Sequence, residues 1–369
     1  MTTYNACIVR YGEISLKGKN RIVFERRLKE DIKRFLDSQK AEHSTISLHR
    51  GRIYIRGIDR VPDLTKVMGI YSYSPAIEIK KDLDTLKQAV TDFIPNMGEA
   101  TNFRVSCQRV DKKFKPNSIE LERMLGALVV ERTQLPVKLV EPDFNLEVEI
   151  GEDFIYIFSG KIKGFGGLPY GTAGRLLSLV SSGIDSPVAT FMMIKRGVEP
   201  VLLHFRVTEE DFQKVLRLKE KLEEYTAGRE LKLLVVDRDQ LFNGKFASLY
   251  NNRTFHPYVC VMCKYLMHKR AGEEARKTES LGLITGDNIS QVASQTLDNL
   301  RAYRNTSELP VYSPLIAFDK EDTIGIAKTI GTYEISIQKA AACVPPKHPK
   351  TRVKPELFHK ILKEAGLEE

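Results

Sequence analysis

The second half of the chain alternates short apolar runs with helical stretches, and this pattern predicts a parallel sheet. The apolar runs lie at residues 176–180, 200–205, 232–236 and 281–285. Runs that are apolar at most positions are typical of strands buried on both faces. The segment 188–195, between the first two runs, has a helical pattern. We therefore predict an α/β fold with a doubly wound parallel sheet, which binds ligands at the carboxyl ends of its strands.

The loop after the first of these strands carries small and polar residues that suit an anion. Residues 181–186 have the sequence SSGIDS, and Pro187 follows in the first helical turn, where its missing N–H costs nothing. Small residues at a strand-to-helix turn expose backbone N–H groups and a helix N-terminus to a phosphate. We expect the hydroxyl groups of Ser181, Ser182 and Ser186 to add donors to a pyrophosphate. The alternative is an ordinary turn rich in serine and glycine.

The SSGIDS loop resembles the SGGxDS signature of the PP-loop ATP pyrophosphatases. These enzymes split ATP between its α and β phosphates and adenylate a substrate. No Gly-Lys-Ser/Thr follows the loop, so it is not a Walker loop. Ser182 departs from the signature, because it stands where the family usually has its first glycine. A serine there is strained by roughly 1 kcal/mol or more if its φ is positive, and harmless if its φ is negative.

The first half of the chain predicts two smaller α/β modules. Its patterns predict a strand ending in a glycine-containing loop within 4–18, further strands at 45–49, 52–55, 102–109, 137–140, 146–150 and 154–158, and helices at 19–39, 83–93 and 118–133. We expect Ile119 to face the interior of the second module. Five glycines within residues 164–174 indicate a linker or a close approach to a ligand, so we place a domain boundary there.

Several separate blocks resemble one family of RNA-modifying enzymes, the tRNA 4-thiouridine synthases (ThiI). The string YGEISLKGKNR resembles the opening of their N-terminal ferredoxin-like domain. LVEPDFNLEVEI and GKIKGFGGLPYGTAGR resemble a THUMP domain and its junction to a catalytic domain. TGDNISQVASQTLDNL and SPLIAFDKEDTIGIAKTIGT match the catalytic domain. The resemblance implies a ferredoxin-like domain at 1–67, a THUMP domain at 68–167 that holds the acceptor end of tRNA, and a PP-loop domain at 168–369.

Composition and charge agree with a polyanionic partner. The 369 residues include 57 Lys and Arg against 48 Asp and Glu, a net charge of +9, which favours a nucleic acid. No apolar stretch approaches the roughly 18 residues of a membrane span, and the N-terminus lacks a secretion-signal pattern. We expect a cytoplasmic protein that does not bind membranes.

The same resemblance implies which residues act in the catalytic domain. Asp185 would help to place Mg²⁺ or the pyrophosphate, and Lys320 stands at the position of a lysine that the family needs for activity. A lysine there would neutralise the α-phosphate or the charge that develops during adenylation. From the sequence alone, a lysine at this place is more often a surface residue in the first turn of a helix. The resemblance also implies that the segment 285–300 borders the nucleotide pocket. The alternative is that this segment is an ordinary helix capped by Asp287 or Ser290. The predicted ATP-binding residues are Leu179, Val180, Ser181, Ser182, Gly183, Ile184, Ser186, His204, Phe205, Gly286, Gln291 and Gln295.

Three of the five cysteines form a candidate sulfur site. Five is few and odd for a disulfide framework, and Cys7 and Cys107 lie in apolar strands as small core residues. Cys260 and Cys263 are one helical turn apart, and Cys343 follows later. These thiols suit an iron–sulfur cluster, a redox dithiol or persulfide carrier, or a zinc ion completed by a histidine such as His256 or His348.

The family resemblance favours the cluster. ThiI-like proteins of the bacterial type end in a rhodanese domain that carries persulfide sulfur, and we expect this chain to lack one. Archaeal-type members without it have a CxxC and a distant cysteine that hold an iron–sulfur cluster. Cys260, Cys263 and Cys343 match that arrangement, which implies a [4Fe–4S] cluster with one iron left open for sulfide. The donor of the sulfur, whether sulfide or a persulfide carrier, is not readable from the sequence.

We therefore predict a tRNA sulfurtransferase that uses ATP and Mg²⁺ to adenylate C4 of a tRNA uridine, at position eight, and then thiolates it. The resemblance also implies a homodimer. Two other functions stay open at this point. One is a tRNA-binding protein without catalysis, in which Ser182 has spoiled the loop. The other is an ATP pyrophosphatase that thiolates a different acceptor, such as the 2-position of uridine or a thiazole precursor.

Overall fold

The structure is a computed structural model that describes residues 4–49, 51–304, 306, 308–339 and 343–368. The chain divides into two compact units, Met1–Pro169 and Tyr170–Glu369. In the described part of the chain, no helix combines the length and the apolar character needed to cross a bilayer.

The first unit is built on one mixed sheet with helices packed against it. Its elements are β1 (Ala6–Tyr11), α1 (Arg21–Ser38), β2 (Thr45–His49), β3 (Arg52–Arg56), β4 (Ile70–Lys80), α2 (Leu83–Phe93), β5 (Phe103–Arg109), α3 (Ser118–Thr133), β6 (Phe144–Ile150), β7 (Phe154–Ser159) and β8 (Ile162–Lys163). The strand order is β2-β3-β1-β4-β7-β6-β5, and β8 pairs with β4. The long strand β4 pairs with β1 on one side and β7 on the other, so it joins the two predicted modules. The predicted boundary at 67/68 stays a prediction.

Local sequence signals set the helices of the first unit. The side chain of Asn117 accepts a hydrogen bond from the backbone of Glu120, and the Glu120 carboxylate returns one, which forms a capping box at the start of α3. Asp82 caps α2 in a similar way. Both helices have the bounds predicted from the sequence.

Two expectations for the first unit are wrong. Residues 137–140 do not form a strand; Val137 makes only an isolated bridge to Phe103. Four apolar residues in a row are not enough, because a strand needs a partner along its length. Ile119 is 62% exposed, since it lies in the first turn of α3, ahead of the buried face formed by Leu121, Leu125 and Val129.

The second unit is built on a five-stranded parallel sheet. Its elements are β9 (Arg175–Leu179), α4 (Asp185–Lys195), β10 (Glu199–Arg206), α5 (Glu209–Glu223), β11 (Leu233–Asp237), α6 (Arg238–Leu241), α7 (Phe246–Asn251), α8 (Val259–Lys277), β12 (Leu283–Ile284), α9 (Leu297–Arg304), β13 (Val311–Tyr312), α10 (Lys320–Thr329), α11 (Tyr333–Ser336) and α12 (Pro355–Glu364). The strand order is β11-β10-β9-β12-β13. All four strand pairs are parallel.

Helices cover both faces of this sheet, as a doubly wound fold requires. Along β9, Leu177 packs into a core with residues of α8. The next residue, Ser178, faces the opposite side, where its hydroxyl group lies 2.7 Å from that of Thr190 on α4. The chain leaves β9 towards β10 and β11, then returns to the other side of β9 with β12 and β13. This reversal creates a crevice beyond the carboxyl ends of β9 and β12, and the predicted fold class of this unit is confirmed.

Candidate functional site: a nucleotide crevice beside three cysteines

Two loops meet in the crevice, and a glycine lets them touch. The SSGIDS loop (residues 181–186) follows β9, and residues 285–287 follow β12. A Cβ atom on Gly286 would lie 2.8 Å from the backbone N of Ser186 and 2.9 Å from the carbonyl C of Asp185. Only a residue without a side chain fits there, so Gly286 packs directly against the start of α4.

Hydrogen bonds within the SSGIDS loop hold its shape. The backbone N–H of Ser181 donates to Oγ of Ser186 at 2.8 Å. The Ser186 hydroxyl group in turn lies 3.2 Å from the carbonyl oxygen of Ser181, to which it donates. The loop is thereby closed across its ends, and the first N–H groups of α4 have no hydrogen-bond partner within the helix itself.

Asp185 is the point at which three separated segments meet. It is the first residue of α4, and its Oδ1 lies 2.8 Å from Nζ of Lys320, the first residue of α10. Its Oδ2 accepts a hydrogen bond from Nε2 of Gln291 at 3.4 Å. A carboxylate, a lysine and an amide therefore surround the helix N-terminus that the sequence marked as a phosphate site.

A buried carboxylate, Asp287, lies behind this point. It is 1% exposed, and it contacts Arg304 at 3.2 Å and Lys264 at 3.7 Å. Burial acts to raise the pKa of Asp287, but the positive charges of Lys264 and Arg304 outweigh it and hold that pKa below its ordinary value. Asp287 is thus a fixed anion that orients two cations beside the crevice.

The crevice contains a cavity of about 130 Å³. Nine of the predicted ATP-binding and catalytic residues line it: Leu179, Val180, Ser181, Gly183, Asp185, Ser186, Phe205, Gly286 and Gln295. Of the other residues predicted to bind ATP, Gln291 reaches Asp185, while Ser182, Ile184 and His204 do not line the cavity. Lys320 also reaches Asp185 without lining the cavity.

Helix α8 supplies cavity residues that the sequence argument missed. Lys264, Met267 and His268 line the cavity together with Asp287. Cys260, Lys264 and His268 follow one another at intervals of four residues, and so do Cys263 and Met267, which places them on one helix face. This spacing is the signal that could have found them. Burial lowers the pKa of His268 to about 4, so its imidazole is neutral near pH 7.

Electrostatic coupling links the three candidate cysteines. Cys260 and Cys263 lie in the first turn of α8, and no disulfide involves either of them or Cys343. Burial, and then the charge of the nearby Cys343, raises the pKa of Cys260 to about 11 and that of Cys263 to about 12. Lys264 follows Cys263 directly in the chain, and its positive charge acts to lower both pKa values. The cysteines therefore adjoin the face of α8 that lines the crevice.

The three thiols are not arranged around a single point. In the described ranges, no three His, Cys, Asp or Glu side chains are placed so that they could hold a metal ion. Nδ1 of His256 lies 2.6 Å from the carbonyl oxygen of Tyr250. Neither the cluster site nor the zinc alternative is assembled in the described part of the chain, and both stay predictions.

Comparison with known proteins identifies the family. The family profile "Thiamine biosynthesis protein (ThiI)" matches residues 171–367. The profiles of the ThiI ferredoxin-like domain and the THUMP domain match residues 6–74 and 80–159. The chain belongs to the ThiI family. The predicted resemblance and the predicted fold class of the whole chain are thus confirmed.

Relatives of this ThiI chain match it over nearly its full length. A probable tRNA sulfurtransferase of Thermococcus kodakarensis is 37% identical over 97% of this chain and 96% of its own. Another, of Methanocaldococcus jannaschii, is 39% identical over 98% and 97%. A crystal structure of a 4-thiouridine synthetase in complex with RNA and ATP superposes with a TM-score of 0.88. That protein is 33% identical, and the match covers 98% of this chain and 95% of that one.

The ThiI chain departs from the SGGxDS signature at Ser182, and the structure shows how it accommodates the serine. Ser182 is not among the described residues with a positive φ, so the serine imposes no backbone strain. The Ser186 hydroxyl group donates to the carbonyl oxygen of Ser181. That the hydroxyl groups of Ser181, Ser182 and Ser186 add donors to a pyrophosphate stays a prediction.

The segment 285–300 does not form the helix that was the alternative to a binding site. Residues 287–292 are irregular, a short 3₁₀ turn spans Ala293–Gln295, and the helix α9 begins only at Leu297. Asp287 and Ser290 therefore do not cap a helix. The irregular path carries Gln291 to Asp185 and Gln295 to Asp287.

Proposed function

We propose that this protein is an ATP-dependent tRNA sulfurtransferase that converts a uridine of tRNA, at position eight, into 4-thiouridine. The observation that carries the proposal is the meeting of Asp185, Lys320 and Gln291 at the start of α4. The relatives that match this chain over nearly its full length are named probable tRNA sulfurtransferases, which supports the proposal. The predicted class of enzyme agrees with those names.

The first step is adenylation of the target base. ATP binds with its phosphates over residues 181–186, where free N–H groups and the dipole of α4 favour negative charge. The C4 oxygen of the uridine attacks the α-phosphorus, the bond to the bridging oxygen breaks, and pyrophosphate leaves. Lys320 turns from Asp185 to neutralise charge on the α-phosphate. Asp185, a carboxylate at the loop, is suited to hold the Mg²⁺ that accompanies the pyrophosphate.

The second step replaces the activated oxygen by sulfur. Sulfide attacks C4, the C4–O bond breaks, and AMP leaves with the oxygen. Adenylation makes this possible, because AMP is a far better leaving group than hydroxide or oxide. Lys264 follows Cys263 directly in the chain and contacts Asp287, so it brings positive charge to the place where the anionic leaving group departs.

Cys260, Cys263 and Cys343 are the residues that would hold the [4Fe–4S] cluster. The donor set suits it, because three thiols without a nearby fourth ligand leave one iron open. The raised pKa values of Cys260 and Cys263 mean that these two thiols are neutral near pH 7 and would lose protons on binding iron. When bound, such a cluster supplies a site that presents sulfide. The thiols must approach one another to bind it, since they do not surround one point at present.

The first unit supplies the surface for tRNA in this proposal. A groove beside α1 is lined by Arg26, Lys29, Lys33 and His43, with Glu30 as its one acidic residue. Such a surface suits the phosphate backbone of RNA. Measuring tRNA affinity at rising salt concentration tests it, because each phosphate contact adds to the salt dependence.

The proposal is tested by assaying the holoenzyme, purified without oxygen, with unmodified tRNA, ATP–Mg²⁺ and sulfide. We expect AMP, pyrophosphate and 4-thiouridine in equal amounts, identified by mass analysis of the nucleosides. Replacing Cys260, Cys263 or Cys343 by alanine should abolish thiolation while tRNA binding is kept. Cys107→Ala, a strand cysteine of the first unit, is the matched control and should keep activity.

Three outcomes contradict the proposal. tRNA binding without AMP formation would favour the non-catalytic protein, and a different thiolated product would favour another acceptor. Full activity in all three cysteine variants would remove the sulfur site. Iron and sulfide counts on the same samples test the cluster, and sedimentation velocity tests the predicted homodimer.

A further inference from the structure

Asn299, the third residue of α9, is fully buried and joins α9 to two other stretches of the second unit. Its Nδ2 donates to the carbonyl oxygen of Ala293 at 2.7 Å and to that of Lys350 at 2.9 Å. Its Oδ1 accepts a hydrogen bond from the backbone N–H of Val353 at 3.2 Å. Both donors and the acceptor oxygen of this carboxamide are therefore satisfied, as its burial requires.

One of these stretches belongs to the nucleotide crevice. Ala293 opens the short 3₁₀ turn that ends at Gln295. Gln295 lines the cavity, and its Nε2 donates to Oδ1 of Asp287 at 3.3 Å. Asn299 is thereby bonded to the backbone of a cavity-lining segment without lining the cavity itself.

The other stretch begins at the third candidate cysteine; we call residues 343–353 the cysteine strap. Besides the two bonds with Asn299, the strap receives one from Thr296, whose hydroxyl group donates to the carbonyl oxygen of Thr351 at 2.6 Å. Val353, at the end of the strap, is fully buried in the core of the second unit. Thr296 and Asn299 thus fix the far end of the strap.

The cysteine strap also contacts the start of the helix that carries the other two cysteines. The backbone N–H of Lys350 donates to the carbonyl oxygen of Pro257 at 2.9 Å. Pro257 lies in the 3₁₀ turn His256–Tyr258, which leads directly into α8 and to Cys260. The strap is therefore fastened both to the nucleotide crevice and to the start of α8.

The chain that precedes Cys343 is fastened as well. Nζ of Lys214 donates to the carbonyl oxygens of Ser336 at 3.0 Å and Gln338 at 2.8 Å. The Ser336 hydroxyl group donates to the carbonyl oxygen of Gly183, in the SSGIDS loop, at 3.3 Å. Each loop of the crevice therefore holds one flank of Cys343.

We propose that Asn299 and Thr296 are positioning residues that fix the cysteine strap so that the Cys343 thiol can meet Cys260 and Cys263. Cys343 is exposed and lies between the two fastened flanks. Fixing both flanks shortens the free chain that must close to bring the thiols together, and a shorter loop loses less conformational entropy. This inference rests on the proposed function in that the three thiols act together in sulfur delivery.

The first test separates the two chemical steps in the full-length holoenzyme. Thr296→Val keeps the shape of the side chain and removes its bond to the strap. The Kd for ATP and the pyrophosphate released in a single turnover should stay unchanged. Formation of 4-thiouridine should fall by up to roughly fivefold, the effect of one hydrogen bond worth about 1 kcal/mol. Asn299→Ala should lower it further, and Thr296→Ser, which keeps the hydroxyl group, should recover most of the loss.

The second test needs no catalysis. Full-length protein is freed of metal with a chelator and treated with a short bifunctional thiol reagent, and peptide mass spectrometry measures the link from Cys343 to Cys260 or Cys263. We expect the link in the unsubstituted protein, slower linking in Thr296→Val and Asn299→Ala, and recovery in Thr296→Ser. Thr329→Val is the matched control, because it removes an exposed hydroxyl group that bonds only within α10. It should change neither thiolation nor linking.

Three results would overturn the inference. One is unchanged thiolation and linking in Thr296→Val, which decides the matter even if Asn299→Ala does not fold. Another is an equal loss of pyrophosphate release and thiolation, because general damage to the unit gives that result. The third is no link in the unsubstituted protein. If that protein links its thiols but forms no 4-thiouridine, the proposed function fails instead, which keeps the two failures distinct.

Discussion

Replacing Gly286 by alanine tests the contact that joins the two loops of the crevice. The new Cβ would meet backbone atoms of Asp185 and Ser186 at 2.8 to 3.0 Å, while ordinary contacts begin at 3.4 Å. The loops must therefore separate by about 0.6 Å at the start of α4. No flexible side chain can absorb this, because the clashing atoms belong to the backbone. Overpacking of this kind costs about 1–3 kcal/mol of unfolding free energy.

The displacement should affect ATP use more than folding. A shift of about 1 Å at a site can cost 100-fold in rate, so we expect kcat/KM for ATP to fall roughly tenfold. The melting temperature should fall by roughly 2–10 °C for a unit of this size. The assay is AMP formation with tRNA at varied ATP concentration, alongside thermal melting.

Gly325→Ala is the matched control for this prediction. Gly325 lies in α10 of the same unit, and a Cβ atom there would meet nothing within 4 Å. Alanine should stabilise the helix by up to about 1 kcal/mol. Normal ATP kinetics and melting in Gly286→Ala would refute the view that the loops are in direct backbone contact.

Three further predictions follow from single contacts. Nζ of Lys214 on α5 donates to two backbone carbonyl groups of the segment that precedes Cys343. Lys214→Met should therefore lower the free energy of unfolding, measured by urea denaturation, by about 1–3 kcal/mol. Lys221→Met, on the exposed side of the same helix, should change the free energy of unfolding by less than about 0.5 kcal/mol. If both variants lose the same amount of stability, the hydrogen bonds of Lys214 are not the cause. The pKa of His268 falls to about 4 in the folded state, so the unfolded chain binds more protons below pH 6.5. Stability should therefore be complete above that pH and decrease by about 2 kcal/mol from pH 7 to pH 5. His268→Asn should flatten that slope, and an unchanged slope would exclude His268 as its source. Finally, a Cβ on Gly183 would meet only Oγ of Ser181, at 3.6 Å. Gly183→Ala should therefore leave melting unchanged but weaken ATP binding if the phosphates fill that space, whereas unchanged ATP affinity would place them elsewhere.

Local sequence patterns were sufficient for the helices and strands that carry their own signals. Helices α2 and α3 have the predicted bounds because capping residues and an apolar face lie within the helix sequence itself. The apolar runs at 176–180 and 200–205 form buried parallel strands. The run at 232–236 forms the edge strand β11, which is only partly buried, and the run at 281–285 forms only the two-residue strand β12. The prediction of a strand at 137–140 is wrong, because a strand also needs an adjacent strand to pair with, and the local sequence does not say whether one is present.

The nucleotide crevice was partly readable from the sequence. The SSGIDS loop and the glycine at 286 marked it, and family resemblance added Lys320 and Gln291. Lys264, Met267 and His268 were missed because helix α8 was considered only for its cysteines. Their spacing along α8 was visible in the sequence, but nothing local indicates which helix face meets the crevice.

The sequence by itself determined the order of elements, the nucleotide loop and the three cysteines, because each depends on residues close together in the chain. Only the tertiary structure decided that Asp185 meets Lys320 and that Gly286 touches α4. These contacts join residues far apart in the chain. They depend on how the strands are ordered and how each helix is rotated on the sheet, which packing sets for the whole unit at once.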